Sequence, residues 1–288
     1  MNKKTVGIIA GVVVLVGGFA IYQRSQASGK KADSTEKKEV RTIRVAHTQN
    51  YVPYDYVNEA GKSDGFEVQV LKAVDKKLKD YKFEYTPTSD EDLLIGIESG
   101  KYDIGTKGAW KTAEREKKFI IPEEKIGASI IGITFRTADK DKFTDFDAFA
   151  ENSGKLVPIS PQNAQYQVVE DYNKKNPDHK IDLKAAEQFN ASDAYAWVLE
   201  KRYDAYFDIK LSYETSIVKE DGPYHKWANE LSYLPYKGIP TYPLIHKSEE
   251  NKEFAKAYDK AIKELESDGV FDELSEKYFG ENVFKFVD

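Results

Sequence analysis

The chain carries an internal repeat of secondary structure, and this repeat limits the possible folds more than any other feature. In the first copy, a strand is predicted at Ile43–His47 and an amphipathic helix at Gly65–Leu78. A second strand at Lys82–Thr86 and a short helix at Asp90–Glu98 follow. Strands that alternate with helices in this way predict an α/β architecture.

The second copy begins roughly a hundred residues later and has the same order. Strands are predicted at Leu156–Ser160 and Ile181–Ala186, and helices at Gln162–Lys174 and Asn190–Glu200. Each copy also ends in a similar tail, SGKYDIG in the first and EKRYDAY in the second. Agreement in order, spacing and element type predicts two α/β lobes of one design.

Two connections are expected to join these lobes. The apolar stretch Ile126–Arg136 predicts a crossover strand, and the return is placed near His246–Glu250. Two further amphipathic helices are predicted at Glu253–Leu265 and Asp268–Tyr278. The predicted first lobe is 42–133 plus 250–288, and the second is 134–249. A cleft between two lobes is a common place for a small-molecule site.

The N-terminus predicts export. An uncharged run at Thr5–Gln23 follows Lys3 and Lys4 and is just long enough, at about 28 Å as a helix, to cross a bilayer. Residues 1–24 are therefore predicted to be a signal anchor or a signal peptide, with the remainder outside the membrane. Cleavage after Ser25-Gln26-Ala27 is the alternative to a retained anchor. Residues 25–41 are polar and predict a flexible tether.

Composition and motifs exclude several classes. The chain has no cysteine, so disulfides, cysteine-ligated metals and a lipid on cysteine are excluded. A net charge of −6 without a basic patch argues against nucleic-acid binding. The four histidines form no metal-binding motif, and no nucleophile elbow or P-loop is present. No cofactor, metal or catalytic residue is predicted, and the chain is expected not to be an enzyme.

Three segments resemble the polar amino-acid-binding family of bacterial periplasmic-type solute-binding proteins. The first, within Arg44–Leu78, carries an aromatic-Pro-aromatic turn and then Gly-Phe-Glu. The others are Tyr102–Phe119, which contains Thr-x-x-Arg, and Lys260–Gly280, which ends in Tyr-Phe-Gly. Similarity extends from about Arg41 to the end of the chain. It implies the two-lobed type II periplasmic-binding-protein fold, with two hinge crossovers.

The resemblance also implies binding residues in the first lobe. Arg115 is expected to bind the α-carboxylate of an amino acid, because a guanidinium group matches a carboxylate with two parallel donors. Backbone amides near Gly108 and Trp110 would add donors to the same carboxylate. Tyr51 and Trp110 would form apolar walls, although ordinary core packing explains each of them equally well.

The second lobe departs from the family pattern. Where relatives place small hydroxyl residues at a helix N-terminus, this chain has Pro161, Gln162 and Asn163. The two amide side chains are predicted to contact the ligand. An acidic residue five positions after the second Tyr-Asp usually binds the ammonium group, but that position is Ile209. Asp208, one residue earlier, is predicted to take the role, with a β-bulge or a solvent-facing carboxylate as the alternatives.

The resemblance therefore implies the extracytoplasmic substrate-binding component of an ABC-type amino-acid importer. Its expected partners are an amino acid, a membrane permease and, through the N-terminal helix, the membrane itself; we expect a monomer on the cell surface, anchored or secreted. An enzyme of the dehydratase or lyase type, and a surface sensor or adhesin, are the alternatives that the fold leaves open. Sequence alone does not name the amino acid.

Overall fold

The computed structural model describes residues 40–152, 154–161, 163–186 and 190–287. Residues Glu39–Asp288 form one compact unit. The predicted membrane segment at Thr5–Gln23, the cleavage motif and nearly all of the tether lie outside the described residues. Within the described ranges, no helix combines the length and the apolar character that crossing a membrane requires.

Strands and helices alternate along most of the described chain. The strands are β1 (Arg41–Thr48), β2 (Asn50–Tyr51), β3 (Asp55–Val57), β4 (Ser63–Asp64), β5 (Tyr81–Thr88), β6 (Ile104–Thr106), β7 (Gly127–Arg136), β8 (Ala205–Ile209), β9 (Leu231–Thr241) and β10 (Leu244–Ile245). The helices are α1 (Phe66–Lys77), α2 (Asp90–Glu98), α3 (Ala113–Lys118), α4 (Phe146–Glu151), α5 (Ala164–Lys175), α6 (Ala191–Leu199), α7 (Lys210–Tyr213), α8 (Glu249–Ser267) and α9 (Val270–Phe279). All of the predicted helices are confirmed, with ends that differ by a few residues.

The first sheet has the order β10-β6-β1-β5. Its central strand β1 is parallel to β5 and β6, while β10 runs antiparallel at the edge. Helices α1, α8 and α9 contribute to one apolar core with this sheet, which includes Phe66, Val70, Phe254 and Tyr258. Parallel strands buried on both faces are expected to be apolar nearly throughout, as Ile43–Ala46 of β1 largely are. We call this sheet with its helices the first lobe.

The second sheet has the order β8-β7-β9, and both pairings are antiparallel. Its central strand β7 is buried from Gly127 through Phe135. A register shift between Ile131 and Gly132 bends β7 against β9. Helices α4, α5 and α6 contribute to the cores beside this sheet. We call this sheet with its helices the second lobe.

The repeat is visible in the hydrogen bonds at the two Tyr-Asp tails. In the first lobe, the amide of Asp103 donates to the carbonyl of Arg44, and the amide of Arg44 donates back to Asp103 Oδ2 at 3.0 Å. In the second lobe, Asp204 and Lys155 exchange the same two bonds, the latter at 3.1 Å. Each aspartate thus ties the end of one repeat to its first extended segment, and the predicted equivalence of the tails is confirmed.

Replacing Asp103 with asparagine is expected to destabilise the first lobe by about 2 kcal/mol, because charged hydrogen bonds contribute 1.5–3 kcal/mol each. Asp103 also accepts from the side chain of Arg44 at 2.8 Å, and although burial opposes the shift, these bonds hold its pKa below the ordinary value. A lowered pKa stabilises the fold above the unfolded-state pKa and loses that contribution as pH falls through the folded-state pKa.

Urea unfolding at pH 7 and at several pH values below about 4, the ordinary pKa of aspartate, measures both effects. The wild type should lose stability more steeply with acid than Asp103→Asn does. Equal slopes would contradict the role given to this carboxylate.

Two predicted strands of the second lobe are not continuous strands. Leu156–Ser160 and Ile181–Ala186 contribute only isolated bridges: Lys155 to Asp182, Leu156 to Ala205 and Ile159 to Ala185. The pairs are parallel, as the repeat requires. Pro158 in the first segment lacks an amide hydrogen, which limits how far a hydrogen-bonded ladder can extend.

The chain crosses between the lobes twice, ahead of β7 and after β9. The return lies between Thr241 at the end of β9 and Leu244 at the start of β10, ahead of the predicted His246–Glu250. Residues 244–249, which the sequence-based division placed in the second lobe, follow this crossover. A two-residue strand such as β10 leaves no periodic pattern, so its membership of the first sheet could not be predicted.

Candidate functional site

A cavity of about 510 Å³ is lined by residues of both lobes. The first lobe contributes Leu94, Glu98, Gly108, Trp110, Thr112, Glu114, Arg115, Lys118 and Phe119. The second lobe contributes Asn163, Ala164, Gln165 and Ile209. Four of the predicted site residues therefore line the same cavity: Gly108, Trp110, Arg115 and Asn163. A volume of this size suits a small molecule.

Arg115 brings a positive charge to the first-lobe wall. The side chain of Thr112 caps α3 by accepting from the amide of Arg115 at 3.2 Å, which fixes the start of this short helix. Arg115 Nη1 donates to the carbonyl of Trp110 at 2.6 Å. Partial burial lowers the pKa of Arg115, while the charges of Asp90 and Glu114 oppose that shift. A guanidinium has five N–H donors, so several remain for a bound anion.

No carboxylate among the described residues forms an ion pair with Arg115, although both Asp90 and Glu114 act on it at longer range. Asp90 is instead paired with Lys107. A charged group that is partly removed from water and has no ion-pair partner favours an anionic ligand. Binding of an anion is also the chemistry that the family resemblance implies for Arg115.

The opposing wall is the N-terminus of helix α5. Asn163 is its N-cap and makes no side-chain capping bond, and Ala164 and Gln165 form its first turn. The first amides of a helix have no partner within the helix, and the macrodipole places partial positive charge there. The cavity therefore has a guanidinium on one wall and the positive end of a 12-residue helix on the other. Both favour the same anion.

Gly108 lines the cavity, but its amide does not face a ligand. The Gly108 N–H donates to Glu67 Oε2 at 3.0 Å. A buried acceptor thus occupies the amide of Gly108 itself, and contact of the backbone amides near Gly108 and Trp110 with a carboxylate stays a prediction. Gly108 has φ +62°, and a Cβ there would lie 2.7 Å from the ring of Tyr51. Glycine is thus needed both for the backbone conformation and for the close contact.

The two predicted aromatic walls lie in different places. Trp110 lines the cavity and also packs against the apolar core of the second lobe, so it contacts both sides. Tyr51 contacts Gly108 from behind and stacks on Tyr54, with ring centroids 5.0 Å apart. Tyr51 therefore supports the loop that carries Gly108 and is not among the residues that line this cavity, so its role as an apolar wall stays a prediction.

Asp208 is not among the residues that line this cavity, whereas its neighbour Ile209 is. Successive side chains of a strand point to opposite faces, and both residues lie on β8. The Asp208 carboxylate accepts from Ser212, Gln165, Tyr206 and the Ile209 amide. Burial nevertheless raises its pKa. Asp208 is thus hydrogen-bonded to Gln165, which lines the cavity. Direct contact of Asp208 with an ammonium group stays a prediction.

Gln162, the remaining predicted contact, lies outside the described residues. Sequence reasoning noted Thr112 only as part of the Thr-x-x-Arg motif, and it missed Gln165 and the ion pair between Glu98 and Lys118 at 3.4 Å. The capping role of Thr112 could have been found, because a threonine ahead of a helical pattern is a capping signal. Within the described ranges, no group of three His, Cys, Asp or Glu residues comes together as a metal site.

Solved structures with the same fold include the probable amino-acid ABC transporter extracellular-binding protein ytmK from Bacillus subtilis. It aligns with a TM-score of 0.62 at 22% identity, over 84% of this chain and 99% of that one. The L-cystine solute receptor of Neisseria gonorrhoeae, in the unliganded open conformation, aligns with a TM-score of 0.58 at 21% identity, over 85% and 95% of the two chains. Both show the fold, which is the two-lobed type II arrangement.

Similar curated proteins include two from Bacillus subtilis. The L-cystine-binding protein TcyJ is 26% identical over 285 residues, which cover 99% of this chain and 98% of that protein. The probable amino-acid-binding protein YxeM is 27% identical over 285 residues, which cover 98% and 97%. Residues 43–281 match the family described as bacterial extracellular solute-binding proteins, family 3. The chain, with its two lobes and the cavity between them, belongs to that family.

Proposed function

We propose that this chain captures an amino acid outside the cell membrane and delivers it to the permease of an ABC importer. The observation that carries the proposal is the pairing of Arg115 with the α5 N-terminus across one cavity. An α-carboxylate between them would accept from the guanidinium and from the free amides of α5. The names of TcyJ and YxeM, as cystine-binding and amino-acid-binding proteins, support the same class of ligand.

Capture would proceed by closure of the two lobes. The carboxylate first binds Arg115 on the first lobe, and the second lobe then moves so that α5 reaches the same group. A ligand that contacts both walls binds the closed state more tightly, and it shifts the population by that difference in affinity. The crossovers at the start of β7 and the end of β9 would serve as the hinge.

A catalytic role is not part of the proposal. The cavity contains carboxylates and amines, but Glu98 is paired with Lys118, and Arg115 is placed to bind an anion. Delivery to a permease requires only binding and release. Whether the N-terminal residues stay as an anchor or are cleaved does not alter this mechanism, because either form leaves the binding unit outside.

A thermal-shift screen of the full-length chain against the twenty amino acids and L-cystine tests the function. Ligand at a hundred times its dissociation constant adds about 2.7 kcal/mol of stability, which raises the melting temperature visibly. A rise with one or a few amino acids is the expected result. No rise with any of them, in protein that has been unfolded and refolded to remove a carried ligand, would contradict the proposal.

L-cystine is the ligand that we propose within this class. It carries two amino-acid ends, and the cavity carries two sets of charges: Arg115 with the α5 N-terminus, and the pair of Glu98 with Lys118. Arg115 and Lys118 are three residues apart on α3 and therefore lie on one face of that helix. The second end of cystine would exchange partners with the Glu98–Lys118 pair.

Lys118→Met is expected to weaken L-cystine by about fivefold relative to S-methyl-L-cysteine, since a half-exposed ion pair contributes at most about 1 kcal/mol. S-methyl-L-cysteine has one amino-acid end and would not use the second set of charges. Calorimetric titration of both ligands measures the ratio. Lys117→Met, an equal loss of charge on an exposed neighbour, is the control. An unchanged ratio in Lys118→Met would exclude this second contact.

A further inference from the structure

Two carboxyl groups are fully buried beneath the binding cavity. Asp55 begins β3 and Glu67 lies in the first turn of α1, and the exposed fraction of each is 0%. They lie within hydrogen-bonding range of one another. Two ionised carboxylates in contact away from water are strongly unfavourable, so such a pair normally holds a proton.

Glu67 joins the cavity to the hinge. Its Oε2 accepts from the amide of Gly108, and its Oε1 accepts from Thr241 Oγ1 at 2.6 Å. Thr241 ends β9 at the return crossover, and its backbone bridges to Trp110 on the cavity wall. The side chain of Glu67 thus holds the loop of Gly108 and Trp110 against the end of β9, which is part of the proposed hinge.

Asp55 is the member of the pair that would hold the proton. Its Oδ1 accepts from Thr106 at 2.7 Å, whereas its Oδ2 is buried and accepts no hydrogen bond from the described residues. Burial and the neighbouring Glu67 raise the pKa of Asp55 well above its ordinary value. Burial also raises the pKa of Glu67, but the bonds from Thr241 and Gly108 favour its charged form. A proton on Asp55 that is donated to Glu67 would satisfy the remaining oxygen.

The groups that face the pair are uncharged over the ordinary pH range. Burial raises the pKa of Tyr51, Tyr54 and Tyr258, and each of them interacts with Glu67. His47, on the adjacent strand β1, hydrogen-bonds Thr48 and Ser63 instead. Among the described residues, the hydrogen bonds to the pair come from Thr106, Gly108 and Thr241, and neither carboxyl forms an ion pair with a lysine, arginine or histidine. A shared proton is therefore the available means of reducing the charge.

We propose that Glu67 is a positioning residue that sets the binding loop against the hinge, and that one proton shared with Asp55 maintains this arrangement. The proposal rests on the proposed function, because the loop it positions carries the cavity wall. Loss of the proton would place two charges in the pair and weaken the bonds that Glu67 makes to Gly108 and Thr241. Binding would then weaken at high pH although neither carboxyl touches the ligand.

Asp55→Asn tests the shared proton, because an asparagine amide donates to Glu67 at every pH. A raised folded-state pKa stabilises the wild type below the unfolded-state pKa, and this contribution is lost as pH rises through the folded-state pKa. From pH 4.5 to 9, the unfolding constant of the wild type should therefore rise relative to Asp55→Asn by about tenfold per pH unit until the pair has ionised. A constant ratio between the two proteins would overturn the shared proton.

Glu67→Leu tests the positioning. Leucine suits a fully buried position and removes both acceptors, so amide exchange at Gly108 should quicken at least tenfold in protein with unchanged circular dichroism. Wild-type exchange at Gly108 in the folded variant would overturn the role of Glu67. Neither readout uses a ligand, so failure of the amino-acid screen would bear on the proposed function alone.

The effect on binding is tested by measuring L-cystine affinity from pH 6 to 9.5 in the wild type and in Asp55→Asn. Each protein is normalised to its own affinity at pH 6. The wild type should weaken more steeply than Asp55→Asn, since titration of the ligand amine is common to both. Parallel profiles would overturn the effect on binding.

Discussion

Arg115→Ala is expected to lower amino-acid affinity by about a hundredfold, equivalent to about 2.8 kcal/mol. Removing one partner of a desolvated charge pair typically costs 2–5 kcal/mol, and Arg115 is the cation that the carboxylate would meet first. The variant should fold normally, because among the described residues the side chain of Arg115 makes a hydrogen bond only to the Trp110 carbonyl. Isothermal titration with the amino acid that gave the largest thermal shift measures the change.

Two further variants sharpen this result. Arg115→Lys should be intermediate, because an ammonium keeps the charge but not the paired donors that match a carboxylate. Lys117→Ala removes the same charge from the exposed side of α3 and should leave affinity nearly unchanged. Wild-type affinity in folded Arg115→Ala, or an equal loss in Lys117→Ala, would show that Arg115 does not bind the carboxylate directly.

The position of Arg115 on the cavity wall was predictable because the residue lies in Thr-x-x-Arg, a short local motif that contributes to the family resemblance. A threonine caps the helix and fixes the arginine three residues later, so local sequence determines where the guanidinium lies. The repeat was predictable for a similar reason. Each Tyr-Asp tail closes a unit through bonds to its first segment, and that requirement preserves an aspartate at both places.

Features that depend on long-range pairing could not be predicted. Counting along β8 offered both Asp208 and Ile209, and strand register, which pairs Asp208 with Gly132 of β7, determines the face to which each side chain points. Likewise, nothing near Gly108 in sequence indicates that its amide is taken by Glu67, 41 residues earlier. The positions of the site residues are therefore determined partly by local sequence and partly by contacts between distant segments of the chain.

Gly132 allows β9 to pack closely against β7 in the second lobe. A Cβ at this position would lie 2.1 Å from the carbonyl oxygen of Leu234 and 2.8 Å from Cα of Pro235. Real Cβ atoms do not approach backbone this closely, and backbone cannot move aside as a flexible side chain can. The register shift between β7 and β9 occurs at this residue, and Gly132 also pairs with Asp208 on the other side.

Gly132→Ala should consequently destabilise the protein by about 3 kcal/mol, the upper part of the range for an overpacked interior. The matched control is Gly61→Ala, where φ is +71° but nothing lies within 4 Å of the added methyl group. That change should cost only the backbone strain of a left-handed residue, about 1 kcal/mol. Urea unfolding of the three proteins measures the difference. Equal losses in the two variants would mean that β9 can move away from β7 without cost, and that close packing of these strands does not require glycine at position 132.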